Sequence, residues 1–394
     1  MKKIKILLVT IIIFISTGCY NYRELTKLAI TSAIGINKTE DGYELIIQVI
    51  NTQKTGSDAN ASSDTPKFIV YKKKGRTIQE ALRNIILESP RRLYVNHMAL
   101  LVISEEVAKD DMDNIIDLFS RDSEFRKQFL VLISKEKDTS DVLSILTALE
   151  TLNAKNIKDS LYTDKRYLGI SNIVNFEDLL DSYINERMDI ALPSITLQGS
   201  EKKGENDDNI KSSDPSARVI LSGLSVFKDN KLVGYLDIND SINVSYLNNT
   251  IDNTIYTYKC DNNKYTSIEV VKSKTGIDIN KDDNEIKFVI KSKANINEMN
   301  CDVNIQNEKE LQELETKIEK DMEKEFYKTI DKLVNEYESD ICGFKEMIYK
   351  SYPKYYRELK QKYGDDLLKN TNYKVDIKLE LVAKGNILKE IANE

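Results

Sequence analysis

The sequence predicts an α+β protein of three domains, each a mixed or antiparallel β-sheet with packed helices. Three observations predict it. Apolar runs of strand length alternate with segments of helical period through residue 134. Two strands near the carboxyl end alternate cleanly between apolar and polar residues. Between those two lies a long stretch with an apolar residue every three or four positions. The expected division is 1–18 leader, 19–137, 138–248 and 249–394.

The leader comes first. Lys2, Lys3 and Lys5 precede an apolar run, Ile6 to Ile15, broken only by Thr10. Ser16, Thr17 and Gly18 then lead into Cys19. Basic start, apolar middle and small residues at a cleavage point are the order of a secretory signal. As a helix, Ile6 to Gly18 reaches only about 20 Å, short of the roughly 30 Å hydrocarbon core. A small residue directly before cysteine resembles a bacterial lipobox, although Ser16 stands where Leu is usual. On that reading Ser16, Thr17 and Gly18 form the lipobox and Cys19 carries diacylglycerol as the first mature residue. Two acyl chains suffice for stable anchoring, at about 0.8 kcal/mol per buried methylene.

Residues 26–36 and 43–51 read as strands joined by a turn at Asp41-Gly42. The stretch 54–66 is a polar loop, and a further strand starts at Phe68. Thr77 with Glu80 three places on is a capping-box pattern. Ile78, Ala81, Leu82, Ile85 and Ile86 follow at helical spacing, with Pro90 as the stop. The runs from His97 and from Phe129 are buried-strand candidates around a short helix carrying Met112, Ile115, Ile116 and Phe119.

The middle domain opens with helical segments over 139–158 and 175–187. Three strands follow, IALPSITLQ, RVILSGLSVFKD and KLVGYLD, the last two joined by a tight turn at Asp229-Asn230. The charged loop 199–217 between the first two is expected to be mobile. In the last domain, Ile286, Phe288, Ile290, Ala294 and Ile296 share one face, as do Tyr373, Val375, Ile377, Leu379, Leu381 and Ala383. That pattern reads as an antiparallel sheet with one wet face. A long amphipathic helix from about Glu308 to Ser339, about 45 Å in length, covers the sheet with Leu311, Leu314, Ile318, Met322, Phe326, Ile330, Leu333 and Tyr337.

Composition narrows the functions. The chain has 394 residues, 41% hydrophobic and 31% charged, with a net charge of −7 and both signs interspersed. Nucleic-acid binding, which needs a basic stripe, is excluded. The single histidine, His97, leaves no metal site of paired imidazoles, and no catalytic triad without that one base. His97 reads as a hydrogen-bonded structural residue. No phosphate-cradling glycine motif is present. The pairs Asp110-Asp111 and Asp365-Asp366 read as solvated surface, and Tyr352 to Tyr356 as tyrosines packed beside helices. No catalytic residue, cofactor or metal is expected. With Cys19 lipidated, Cys260, Cys301 and Cys342 remain. One bridge among them is open to them, but the reading adopted is three reduced, mostly buried thiols.

Taken together, the motifs resemble the Ger(x)C family of spore germination lipoproteins. The mature start GCYNYREL is similar to the family's G-C-W-[DS]-x-x-E-[IL]: Gly18, Cys19, Glu24 and Leu25 match, while Tyr20 replaces Trp and Asn21 an acid. LAITSAIGI resembles the next strand. A second block of Arg92, Leu93, His97, Glu105, Ala108, Arg121, Asp122, Glu124 and Arg126 is similar to the family's R-x-L-x-x-x-H, E-x-x-A and R-D-x-E-x-R, with one residue fewer in the first gap. LSGLSVFKDNKLVGYLD, with Ser225 for Ala, SDICGFKE and VDIKLELVAKGNI resemble three further elements in the same order.

The resemblance implies a non-catalytic C subunit of a nutrient germinant receptor on the outer leaflet of the spore's inner membrane. It implies A and B subunits as partners, with contact to the nutrient indirect if it is made through them and direct contact left open. A solute-binding lipoprotein of a transporter and an envelope hydrolase are the alternatives. The first wants two similar parallel-sheet lobes, and the second a base and nucleophile beyond His97.

Overall fold

The computed structural model describes residues 27–51, 66–260 and 263–382. Its strands gather into two sheets. The first runs, in spatial order, β3 (Phe68–Gly75), β2 (Gly42–Ile50), β1 (Leu28–Thr39), β5 (Leu100–Ser104), β6 (Leu130–Ser134), β7 (Ala191–Gly199), β8 (Ala217–Lys228) and β9 (Lys231–Leu236), with β4 (Arg92–Tyr94) also pairing β1. Its centre is parallel, and an antiparallel hairpin flanks it on each side.

Hairpin β1 (Leu28–Thr39) and β2 (Gly42–Ile50) turns through Glu40 and Asp41, one residue before the expected Asp41-Gly42, because Gly42 already pairs with Thr39; β3 (Phe68–Gly75) pairs antiparallel with β2. Helix α1 (Ile78–Asn84) starts where the capping pattern predicts: the Thr77 hydroxyl accepts from the Glu80 amide at 3.1 Å. Glu80 reaches back to the Arg76 amide instead of the cap's own. After β4 (Arg92–Tyr94), strands β5 (Leu100–Ser104) and β6 (Leu130–Ser134) are buried at every position. Both of their faces are covered, so an uninterrupted apolar run suits them better than alternation. Between them lie α2 (Glu105–Asp110) and α3 (Met112–Arg121).

The predicted boundary at 137/138 falls inside this sheet, where β6 pairs in parallel with β7 (Ala191–Gly199). That seam is narrow, with Ile133 opposite Ser194 and Ser134 opposite Ile195. The stretch expected to be helical over 139–158 holds α4 (Ser140–Leu143) and the start of α5 (Asn153–Tyr167), and α6 (Phe176–Ile184) follows. Strands β8 (Ala217–Lys228) and β9 (Lys231–Leu236) turn at Asp229 and Asn230, both at positive φ, as a two-residue hairpin turn requires. The loop expected to be mobile over 199–217 holds two single-turn helices, α7 (Glu201–Gly204) and α8 (Asp208–Lys211). The buried Asn209 side chain ties it down, bonding Leu146 and both the amide and carbonyl of Ala217.

The second sheet is β10 (Thr254–Lys259), β11 (Tyr265–Asn280), β12 (Glu285–Met299) and β13 (Asn372–Val382) in that order. One expectation is corrected here. β12 and β13 are parallel neighbours, not antiparallel. Alternation reveals which face is wet but not which way a strand runs, and a helical crossover returns the chain in the same direction. That crossover is α10 (Glu308–Asp331) with α11 (Phe344–Ser351) and α12 (Pro353–Tyr363).

Helix α10 buries Leu314, Ile318, Met322, Phe326 and Ile330, the predicted stripe. It packs on α9 (Ile238–Leu247), with Phe326 edge-on to Tyr246 at 5.6 Å between centroids. The last turn widens, and the Tyr337 amide bonds back five residues to Lys332. Leu224, Val226 and Leu236 of the first sheet share one buried cluster with α9, α10 and the second sheet. The two sheets thus meet in a common core.

Helix α10 also seals an exposed edge. The outward amides of Leu379 and Leu381 on β13 donate to Glu319 and Glu315, each at 2.7 Å, and that of Val375 to the Tyr327 hydroxyl at 3.2 Å. A bare strand edge invites pairing with other chains. Burial pushes the Glu319 carboxyl above its usual range, against the pull of the Leu379 amide. Replacing Glu315 and Glu319 together by Ala is expected to lower stability by about 2 kcal/mol, two charge-assisted bonds on half-exposed carboxylates. Faster hydrogen exchange at Leu379 and Leu381, with a lower urea midpoint, checks it; unchanged exchange would contradict it.

Candidate functional site at the joint between the sheets

The joint is built from SDICGFKE, residues 339–346. The widened end of α10 lifts Tyr337 onto β9, where its hydroxyl donates to the Tyr235 carbonyl at 2.9 Å. Its ring lies flat against Gly234, where a Cβ would come within 2.5 Å of the ring carbon. The Ser339 hydroxyl donates to the Phe227 carbonyl at 2.6 Å, and its own amide bonds Leu333. Gly343 at φ 71° then turns the chain into α11. A side chain is disfavoured at that left-handed angle.

Asp340 is the hub. It is completely buried, and its carboxylate accepts from the Phe344 amide at 2.6 Å and the Lys345 amide at 2.8 Å, capping α11 from within. Its amide donates to the Asp189 carboxylate at 2.7 Å, while its carbonyl accepts from the Asp189 amide at 3.1 Å. Asp189 also accepts from the Asp229 amide in the β8–β9 turn. Burial pushes the Asp340 carboxyl up to about 6, and nearby Asp189 adds to this, against the two amides and Lys345. Beside the hub, Arg187 bonds Glu346 and lies 4.1 Å over the Tyr349 ring. Burial raises the Glu346 carboxyl, yet Arg187 and Lys350 outweigh it and hold the group below its usual range.

A second polar cluster ties α2 to β9. The Tyr235 hydroxyl donates to Glu105 at 3.1 Å, and Lys135 sits 4.6 Å over the Tyr235 ring. The bond from Lys109 holds Glu105 below its usual range, and burial lowers Lys135.

The residues singled out in the sequence fall as follows. Ser16, Thr17, Gly18 and Cys19 lie outside the described residues. His97 is not a hydrogen-bonded core histidine. It is exposed in the turn before β5, with its ring 5.6 Å from that of Tyr94, because the chain must turn there to enter the buried strand. Arg92 of β4 and Glu124, just after α3, form an ion pair, and Ala108 is buried. Ser225, where the family motif has Ala, is fully buried with its hydroxyl unpartnered. Asp111 pairs with Lys38, and Asp365 and Asp366 lie in the turn after α12. Tyr356 packs on Tyr349 at 5.6 Å, and Tyr355 bonds Lys281 and Asn284, so these rings are structural.

The thiol expectation is corrected. Cys260 and Cys301 are bridged, 5.9 Å apart at Cα, and only Cys342 is free and buried among the described cysteines. Spacing alone hid the bridge, since strand pairing brings together residues 41 apart. Among the described residues no group of three or more His, Cys, Asp or Glu is placed to hold a metal ion, and no helix is long and apolar enough to cross a membrane. Sequence reasoning also missed the Asp189–Asp340 lock. Gly343, three residues after Asp340 and directly before Phe344, was the one signal for it.

Fold and joint define an α+β protein of two sheets locked together by buried polar residues. Two family models place it further. "Spore germination protein N-terminal domain" matches residues 21–197, and "Spore germination B3/ GerAC like, C-terminal" matches residues 222–385. The chain belongs to the Ger(x)C family of spore germination proteins. It is similar to spore germination protein KC of Bacillus subtilis, 29% identical over 93% of this chain and 92% of the relative. It is also similar to spore germination protein B3 of Bacillus subtilis, 23% identical over 94% of this chain and 95% of the relative. The crystal structure of the GerBC protein has the same fold, with a TM-score of 0.53 at 18% identity, over 89% of this chain and 96% of that one.

Proposed function

We propose that this chain is the C subunit of a spore nutrient germinant receptor. It is lipid-anchored through Cys19 to the outer leaflet of the spore's inner membrane and acts without catalysis, in assembly or signal relay with A and B subunits. The observation that carries the reading is the match to germination families along nearly the whole chain, in order. The Cys260–Cys301 bridge supports a place outside the cytosol, where disulfides persist. The joint supports a mechanical role: its hydrogen bonds bind the halves of the chain to each other, and its buried acid is held by amides. The three expected domains enter the same proposal as the 19–137 and 138–248 halves of the first sheet, followed by 249–394.

Two measurements test it. Purification of the tagged chain from spore membranes is expected to bring down the A and B subunits. Mass spectrometry of its mature amino terminus is expected to find diacylglycerol on Cys19. An unmodified thiol, or purification with an ATP-driven transporter instead, would overturn the assignment.

A further inference from the structure

Directly after α1 the chain makes a single 3-10 turn, Ile85–Leu87. Ile85 faces the core, while Ile86 and Leu87 are 56% and 81% exposed. Single exposed apolar residues are ordinary. Two adjacent ones at the tip of a short turn leave a joint apolar surface to explain. Cationic side chains surround it: Arg83 in the last turn of α1, then Arg91 and Arg92 beyond Pro90. Of the acids here, Glu88 pairs with Lys73 and Glu124 with Arg92, while Asp122 in the same pocket accepts from the Glu124 amide. Ile86 lines the same small pocket as Arg83, Arg92 and Leu93.

The position of the chain's entry adds the second observation. β1 begins beside this patch, with Leu28 opposite Arg92 and Ala29 opposite Leu93 in parallel register. Cys19 lies nine residues before Leu28. Even a fully extended segment of that length spans at most about 30 Å. If Cys19 sits in the outer leaflet, this end of the first sheet is held close to the headgroups.

We propose that the Ile86–Leu87 turn is a membrane-docking tip: its two apolar side chains enter the interfacial region, and the exposed Arg83 beside them meets the lipid phosphates. The inference rests on the anchored reading and deepens it by fixing which face of the body meets the bilayer. An apolar tip beside an exposed cation has the chemistry of interfacial attachment, and a cation near an anionic leaflet adds to it. The occupant is a phospholipid surface carrying anionic headgroups. A hydrophobic protein partner is the rival that the test separates.

The chain contains no tryptophan, so Leu87→Trp makes a sole fluorescent probe, and Leu149→Trp, at another highly exposed position, makes the control. The full lipidated protein is reconstituted into vesicles of phosphatidylglycerol and phosphatidylcholine with brominated acyl chains. The Leu87→Trp emission is expected to shift to the blue and lose most of its intensity, while the Leu149→Trp emission keeps the spectrum of a water-exposed ring. Protein that floats with the vesicles while Leu87→Trp stays unquenched overturns the docking tip but leaves the anchor standing. A shift seen only when receptor subunits are added, with no quenching by the brominated chains, overturns it in favour of a protein partner. Protein that fails to float and carries no lipid on Cys19 overturns the anchored reading and this inference together.

Discussion

Asp340→Ala is expected to lower the stability of the folded chain by about 3 kcal/mol. The carboxylate accepts from the Phe344 and Lys345 amides in a site fully closed to water. A methyl group there leaves both donors unpaired, at about 1–3 kcal/mol each, and relief of the buried charge offsets part of that loss. Asp340→Asn keeps one acceptor and is expected to cost less, about 1–2 kcal/mol.

The same residue gives the joint a pH dependence of fixed sign. Burial first, then Asp189, raises the carboxyl from 3.8 to about 6. Between these values the folded chain keeps a proton that the unfolded chain has released. Stability from this group is therefore complete below pH 3.8 and is lost as pH rises through about 6. About 3 kcal/mol is at stake for a shift of this size. Asp340→Asn carries no such proton, so the stability difference between wild type and variant should narrow between pH 4 and 7. Urea titrations of both at several pH values check this, and a difference independent of pH would contradict it. Hydrogen exchange should quicken at Asp189 and Phe344 in Asp340→Ala if the hub joins the two sheets as described.

Removing the bridge by Cys260→Ser with Cys301→Ser is expected to lower stability by about 2–4 kcal/mol. The link closes a separation of 41 residues between the ends of β10 and β12. Chain entropy alone assigns such a loop about 4 kcal/mol. The ladder from β10 through β11 to β12 already restrains part of that loop, so the observed loss should fall below the full figure. Reductant should produce the same drop in wild type and none in the double variant. Cys342 offers an internal control. Burial pushes its thiol well above the ordinary value, so it should resist alkylation until the chain unfolds. Equal stability with and without the bridge would contradict the assignment of a structural role to it.

How much of this was legible beforehand differs from element to element. β5 and β6 could be read because a strand covered on both faces is a near-continuous apolar run, here closed by the buried Ser104 and Ser134. The stripe of α10 could be read because one face of a long helix must meet the core. The direction of β13 could not be, since alternation is the same for either orientation. Strands β10 and β11 escaped because TIYTYK and the long YTSIEVVKSKTGIDIN mix charged and apolar residues, and two bulges shift the pairing of β11 with β12. The split into two sheets escaped because periodicity marks faces and not the limits of a sheet. At the joint, Ser339, Asp340 and Gly343 lay inside a recognisable motif, but their meaning depends on Asp189, 151 residues away. A lock of that kind is set by tertiary placement, and no local pattern carries it.

Nutrient-triggered germination of spores lacking this chain tests the central claim most directly. The account predicts that such spores lose their response to one set of nutrients, keep their response to triggers that bypass nutrient sensing, and regain the first when the chain is restored. Spores without the chain that answer every nutrient as fast as wild type would contradict it.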